Sequence, residues 1–149
     1  TGSADAPRPF GDAVVDGFDF DIESYMSTVP NDDAGNAMAN YQSQHYADMV
    51  NHLKTECFPR DGSKQYYISG APQCMVPDTR MADAIANSPF DFLFVQFYNT
   101  AQCSARVGYN HLSGGASDMT FDDWATKVAS GNPNRRIYLG LVSFDPMFK

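Results

Sequence analysis

Residues Asp16 to Ser24 read DGFDFDIES, with acids at Asp19, Asp21 and Glu23 and apolar side chains at Phe18, Phe20 and Ile22 between them. Period-2 alternation marks a β-strand, because successive side chains point to opposite sides of a pleated chain. The three carboxyls therefore share one face and the three apolar side chains share the other. Same-face neighbours on a strand sit roughly 6.5–7 Å apart, so the acids repel one another at a cost in stability. Such a row suits a protein that needs an acid whose proton is held near neutral pH. A solvated strand face or a cation site is the plainer reading of the same row. The chain lacks the glycine and distal glutamate of an EF-hand calcium loop.

Outward from this strand, drawn from about Val14 to Glu23, the chain alternates between two kinds of pattern. TGSADAPRPFGD before it reads as a lead-in loop. Pro30, Asn31, Asp32, Asp33 and Gly35 after it form a loop ending in helix-capping residues. From Ala34 to Lys54, Met38, Tyr41, His45, Met49, Val50 and Leu53 fall at helical spacing, closed by Pro59 and Gly62. A second strand runs from Tyr66 to Gly70 and stops at Pro72. A short helix is predicted over Met81 to Asn87, ended by Pro89. The third strand, FDFLFVQFYN from Phe90 to Asn99, is apolar at nearly every position, as in a strand buried on both faces. A glycine-rich loop holding His111 leads to a helix from about Thr120 with Trp124 and Val128 on one side. The last strand is IYLGLVSF, Ile137 to Phe144.

Strand, helix, strand, helix, strand, helix, strand is the order of a parallel sheet with helical crossovers. The polar connections after the strands are where such folds place ligands. Four parallel strands and three helices leave both sheet edges bare, however, and bare apolar edges invite aggregation. A closed eight-stranded barrel removes the edges but needs about 250 residues. The 149 residues are therefore expected to be part of a larger barrel.

Composition narrows the function classes. Hydrophobic residues make up 43% and the net charge is −8, which fits a globular chain and argues against nucleic acid or an anionic membrane as partner. No apolar run approaches a membrane span, and the first residues carry no signal-peptide pattern. Only Glu23 and Glu56 are glutamates and lysine is scarce, a polar surface that fits a secreted protein. The three cysteines, Cys57, Cys74 and Cys103, have no zinc-ligand spacing, and an odd count leaves at least one thiol free or paired outside the chain. His45, His52 and His111 form no pair that reads as a metal site.

The run from Asp16 to Glu23 resembles the DxxDxDxE signature of family 18 glycoside hydrolases, in particular the hevamine-like class III chitinases of plants and fungi. SGAPQC (Ser69 to Cys74), FDFLFVQFYN (Phe90 to Asn99) and RIYLGLVSF (Arg136 to Phe144) agree with that family in order and spacing. The resemblance implies a (β/α)8 TIM barrel of which residues 1–149 carry strands four to seven, with strands one to three and eight outside the sequence. The family's eighth-strand tryptophan would then be outside as well, and Trp124, placed in a helix, reads as a packing residue.

The resemblance also implies an endo-acting chitinase that cuts β-1,4 N-acetylglucosamine linkages with retention and needs no metal or organic cofactor. Glu23, nearest the C-terminal mouth of the strand, is the expected acid/base. No second carboxylate nucleophile is required, because family 18 uses the substrate's own acetamido group. Asp21 would orient that group, with Asp19 sharing its proton, and Tyr98 would donate to the acetamido oxygen. Gln96, facing the same way as Tyr98 above Phe92 and Phe94, and Asn99 at the rim are the expected sugar contacts. Asp16 has a structural hydrogen-bonding role. A Cys74–Cys103 disulfide is implied, consistent with two parallel neighbours ending at one rim; two free thiols are the alternative. The expected partner is chitin or an N-acetylglucosamine oligosaccharide, with the full-length protein a monomer. A silent chitin-binding lectin or inhibitor, or an endo-β-N-acetylglucosaminidase acting on N-glycans, are the other readings.

Overall fold

The computed structural model describes residues 10–23, 31–38, 43–112 and 118–143. The lead-in before Phe10, Pro30, Tyr41 of the expected long helix, the loop at 113–117 and Phe144 lie outside the described residues. Four strands, β1 (Gly17–Phe20), β2 (Tyr67–Gly70), β3 (Phe92–Gln96) and β4 (Arg136–Gly140), form one parallel sheet in the order β1-β2-β3-β4. The crossovers carry α1 (Tyr46–His52), α2 (Ala82–Asn87), α3 (Ala105–Leu112) and α4 (Phe121–Asp123). The last of these continues through wider turns at Trp124–Val128 and a tight turn at Ala129–Gly131. Among the described residues no helix is long and apolar enough to cross a membrane.

The register explains the two faces. Phe20 aligns with Gly70, Gly70 with Leu93 and Leu93 with Ile137, so these residues share the face turned toward the helices. Phe20, Ile68, Leu93 and Val95 are buried there with Val50, Ile85, Phe90 and Trp124. Asp19, Ser69 and Phe92 align on the opposite face, followed by Phe94 beside Tyr138. The alternation read in the sequence is thus realised, with the acids on one side and Phe20 and Ile22 packed on the other. Gly17 is required where β1 meets β2, because a β-carbon there would collide with the Tyr67 carbonyl.

Several expectations are corrected. The helix expected from Ala34 begins only at Tyr46. Asp32 instead accepts the backbone N–H groups of Ala34 (3.0 Å) and Asn36 (2.8 Å), closing a turn on itself around Gly35 at φ 83°. Side-chain acceptors of this kind compete with helix formation. His45, at φ 67°, sits in the left-handed region and stops the helix from running back. His111 lies in the last turn of α3, a helix the sequence reading placed in a loop because Gly108 weakens its pattern. Among the described residues the third strand is covered on one face only: Leu93 and Val95 are buried, whereas Phe94 is 44% exposed. Strands end earlier than expected, β3 at Gln96 and β4 at Gly140.

The helix layer is fastened by two buried polar groups. The Asp78 carboxylate accepts the N–H groups of Gln73, Arg80 and Met81, tying the loop after β2 to the start of α2. Arg135 donates to the carbonyls of Ile85 (2.7 Å), Ser88 and Val128. It thereby places a cation at two helix C-termini, where the peptide dipoles favour one.

Candidate active site

The candidate site is built where β1, β2 and β3 end. Asp19 is exposed on β1 and accepts a hydrogen bond from Ser69 Oγ of β2 at 2.5 Å. Its neighbour in register supplies the donor, since Asp19 and Ser69 lie side by side. Asp21 and Glu23 extend the same face past the last paired residue of β1. From β3, the Gln96 side chain reaches over Ala71 to both acids. Its Nε2 donates to Glu23 Oε1 at 2.6 Å, to the Ala71 carbonyl at 2.8 Å and to Asp21 Oδ1 at 3.2 Å.

Burial is the first reason the Asp21 carboxyl is held above its ordinary value. The charge of Glu23 and a hydrogen bond with it add to that, then the charge of Asp19, while the Gln96 amide works the other way. Two close carboxylates resist double ionisation, which is why the Glu23 charge raises the Asp21 carboxyl. The acid in direct contact with Asp21 is Glu23; Asp19 acts on it through its charge and is itself hydrogen-bonded by Ser69. Tyr98 is half-buried, and its hydroxyl is raised first by burial and then by the charges of Asp21 and Glu23. That influence puts the phenol in the field of the acid pair, the neighbourhood in which a donor to an anionic or carbonyl oxygen is useful.

The turn after β3 sets the direction of Tyr98. Asn99 has φ 61°, and the Thr100 N–H donates back to the Tyr98 carbonyl at 2.7 Å. A three-residue turn with a left-handed centre is strained for a residue other than glycine. It is anchored a few residues later, where Cys103 is bridged to Cys74 with Cα atoms 5.7 Å apart, the expected disulfide. Cys74 is held in turn by its carbonyl, which accepts from Trp124 Nε1 at 2.9 Å and from Thr120 Oγ1. Trp124 is 1% exposed, a packing residue as expected. Cys57 is unbridged and half-buried.

The structure therefore brings Asp21, Glu23 and Gln96 together directly, with Asp19 next on the same face and Tyr98 beside the pair. Asn99 is exposed at the rim. Asp16 is away from them at the opposite end of β1, where its carboxylate pairs with Lys64 at 2.7 Å and its carbonyl accepts the Tyr67 N–H. Sequence reasoning missed Ser69, Ala71 and Thr120. Ser69 was legible in principle from the parallel register opposite Asp19. The carbonyls of Ala71 and Cys74 carry no side-chain signal.

The chain matches the family described as Glycosyl hydrolases family 18 over residues 4–149. It is 48% identical over 140 residues to "Endochitinase A" of Aspergillus niger and 45% identical over 139 residues to "Probable endochitinase" of Arthroderma benhamiae. Each alignment covers 93% of this chain, but the chain spans only 10% and 16% of those two relatives. Among solved structures, a chitinase from Ipomoea carnea superposes with a TM-score of 0.51 at 23% identity, over 89% of this chain and 54% of that one. The last likeness speaks to fold alone, and agrees with a parallel sheet flanked by helices. With the profile spanning nearly the whole sequence and the acid row in the geometry just described, this chain belongs to glycosyl hydrolase family 18.

Proposed function

We propose that this chain carries the catalytic acids of an endo-acting chitinase that works with retention and substrate assistance. The observation that carries the proposal is the Asp21–Glu23 pair, held at the strand ends by the Gln96 amide, with the Asp21 carboxyl above its ordinary value. Glu23 donates its proton to the leaving glycosidic oxygen. The acetamido carbonyl oxygen of the sugar attacks the anomeric carbon and an oxazolinium ion forms. Asp21 accepts the acetamido N–H, which aims the carbonyl and stabilises the cation. Tyr98 donates to the acetamido oxygen. Glu23, now ionised, takes a proton from water as it opens the ring, restoring the acid and leaving the configuration unchanged. Gln96 and Asn99 line the same subsite. The endochitinase names of the relatives support chitin as substrate.

The test is to follow the complete protein on N-acetylglucosamine oligomers by proton NMR. The β-anomer is expected to appear first and to mutarotate later. First appearance of the α-anomer contradicts the mechanism, and intact oligomers contradict the function.

The same reading includes a (β/α)8 barrel completed by strands outside these residues, and secretion, which the disulfide supports. Phe94 and Tyr138 stack at 5.0 Å on the acid-bearing face while 44% and 45% exposed. Parallel sheets are ordinarily covered on both faces. Exposed aromatics and the edges of β1 and β4, which pair with no further strand among the described residues, lead to an expected result: residues 1–149 expressed alone aggregate. A soluble monomer with one cooperative melting transition would refute the completed barrel.

A further inference from the structure

We infer that Gln96 is a positioning residue that binds Asp21 and Glu23 into one unit and fastens that unit to the main chain at the exit of β2. The inference rests on the glycosidase reading above and gives Gln96 a task beyond sugar contact. All three partners of its amide are acceptors, which fixes the NH2 group toward them. Two protons serve three acceptors, so at least one proton is shared. The nitrogen has no capacity left for a substrate oxygen; the amide oxygen alone remains for a sugar.

The side chain is also anchored at its root. The Gln96 N–H donates to the Pro72 carbonyl at 2.8 Å, next to the Ala71 carbonyl that its amide holds at 2.8 Å. Two consecutive carbonyls of the β2 exit thus grip one residue at both ends. Gln96 is 6% exposed, so neither end is loosened by water. The acids it holds lie 75 and 73 residues earlier in the chain, two strands away across the sheet. Strand alternation puts Asp21 and Glu23 on one face, but their backbone lies past the paired segment of β1, and Gln96 holds their carboxyls from β3.

Among the described residues, the charged and titratable groups that face the pair are Asp19 from β1 and Tyr98 from the turn after β3, with Gln96 the neutral donor between them. A hydrogen bond donated to a carboxylate favours its ionised form. Losing the donor therefore moves the Asp21 ionisation upward.

The experiment uses the complete protein with 13C-labelled Asp and Glu carboxyls. Gln96→Met keeps the length of the side chain and removes the donor. The Asp21 ionisation is expected to rise, because the Gln96 amide that favours its charged form is gone. On chitin oligomers kcat falls about ten- to a hundredfold with KM little changed, and the limb of the pH–rate profile that follows Asp21 moves up with its titration. Gln96→Leu serves if the methionine variant melts too early, since it also removes the donor and adds no charge. Titrations that stay in place in both variants overturn the inference. A raised KM with unmoved titrations assigns Gln96 to sugar binding instead. The NMR titration needs no substrate, so a wild-type protein that leaves chitin uncut sinks the functional reading while this inference is still decided by the carboxyl shifts.

Discussion

Glu23→Gln in the complete protein is expected to lower kcat on chitin oligomers about 10²- to 10⁴-fold, the usual share of a positioned general acid, while oligomer binding persists. The substitution is a mild one for the site's geometry. A glutamine at 23 keeps an oxygen to accept the Gln96 amide, now at 2.6 Å from Glu23 Oε1, so Gln96 still has its partner. What disappears is the proton for the leaving oxygen. The neighbour also changes: Asp21 loses an acidic group whose charge and hydrogen bond help to hold its carboxyl above the ordinary value. The Asp21 ionisation should therefore fall in the variant, because the like charge that opposed it is gone. Single-turnover rates and a binding titration with oligomer separate the two effects. Turnover equal to wild type would remove Glu23 from the role of acid.

Trp124→Ala is expected to cost about 3–5 kcal/mol of stability, the range for emptying a buried tryptophan. A drop of about 10 °C in Tm follows for a domain of this size. The indole is 1% exposed and lies in the main core cluster. Its Nε1 also supplies one of the two hydrogen bonds to the Cys74 carbonyl, Thr120 supplying the other. Trp124→Phe isolates the second effect. It keeps most of the apolar volume, drops the donor and should cost about 1–2 kcal/mol. Denaturant unfolding of the complete protein checks both values. A loss below about 1 kcal/mol for the alanine variant would show that the segment continuing α4 does not brace the disulfide loop.

Much of this site was legible along the chain. DGFDFDIES put three acids on one face because strand alternation is a property of the backbone alone, and Phe20 and Ile22 do pack on the other side. The four strands and their parallel order followed from alternating strand and helix patterns. The Cys74–Cys103 bridge followed from the family likeness. Other features were not legible. The pattern from Ala34 to Lys54 read as one helix because Met38, Val50 and Leu53 are spaced for it, yet Asp32 captures the backbone of the first residues and His45 is left-handed. α3 was hidden by Gly108. FDFLFVQFYN read as buried on both faces, whereas the described residues cover only the face of Leu93 and Val95.

What the sequence by itself determined was the set of groups and their spacing: a face of carboxyls, a polar pair at Gln96 and Tyr98, and membership of a family. Periodicity is local and survives any arrangement of the rest. Only the tertiary structure decided which group touches which. Ser69 rather than Asp21 hydrogen-bonds Asp19, Glu23 is the direct partner of Asp21, and the Gln96 amide joins the two acids from a strand two places away. The reason is physical. A polar group's partner, and hence the proton affinity of a carboxyl, depends on register and burial across strands, and those are set when the sheet packs against its helices.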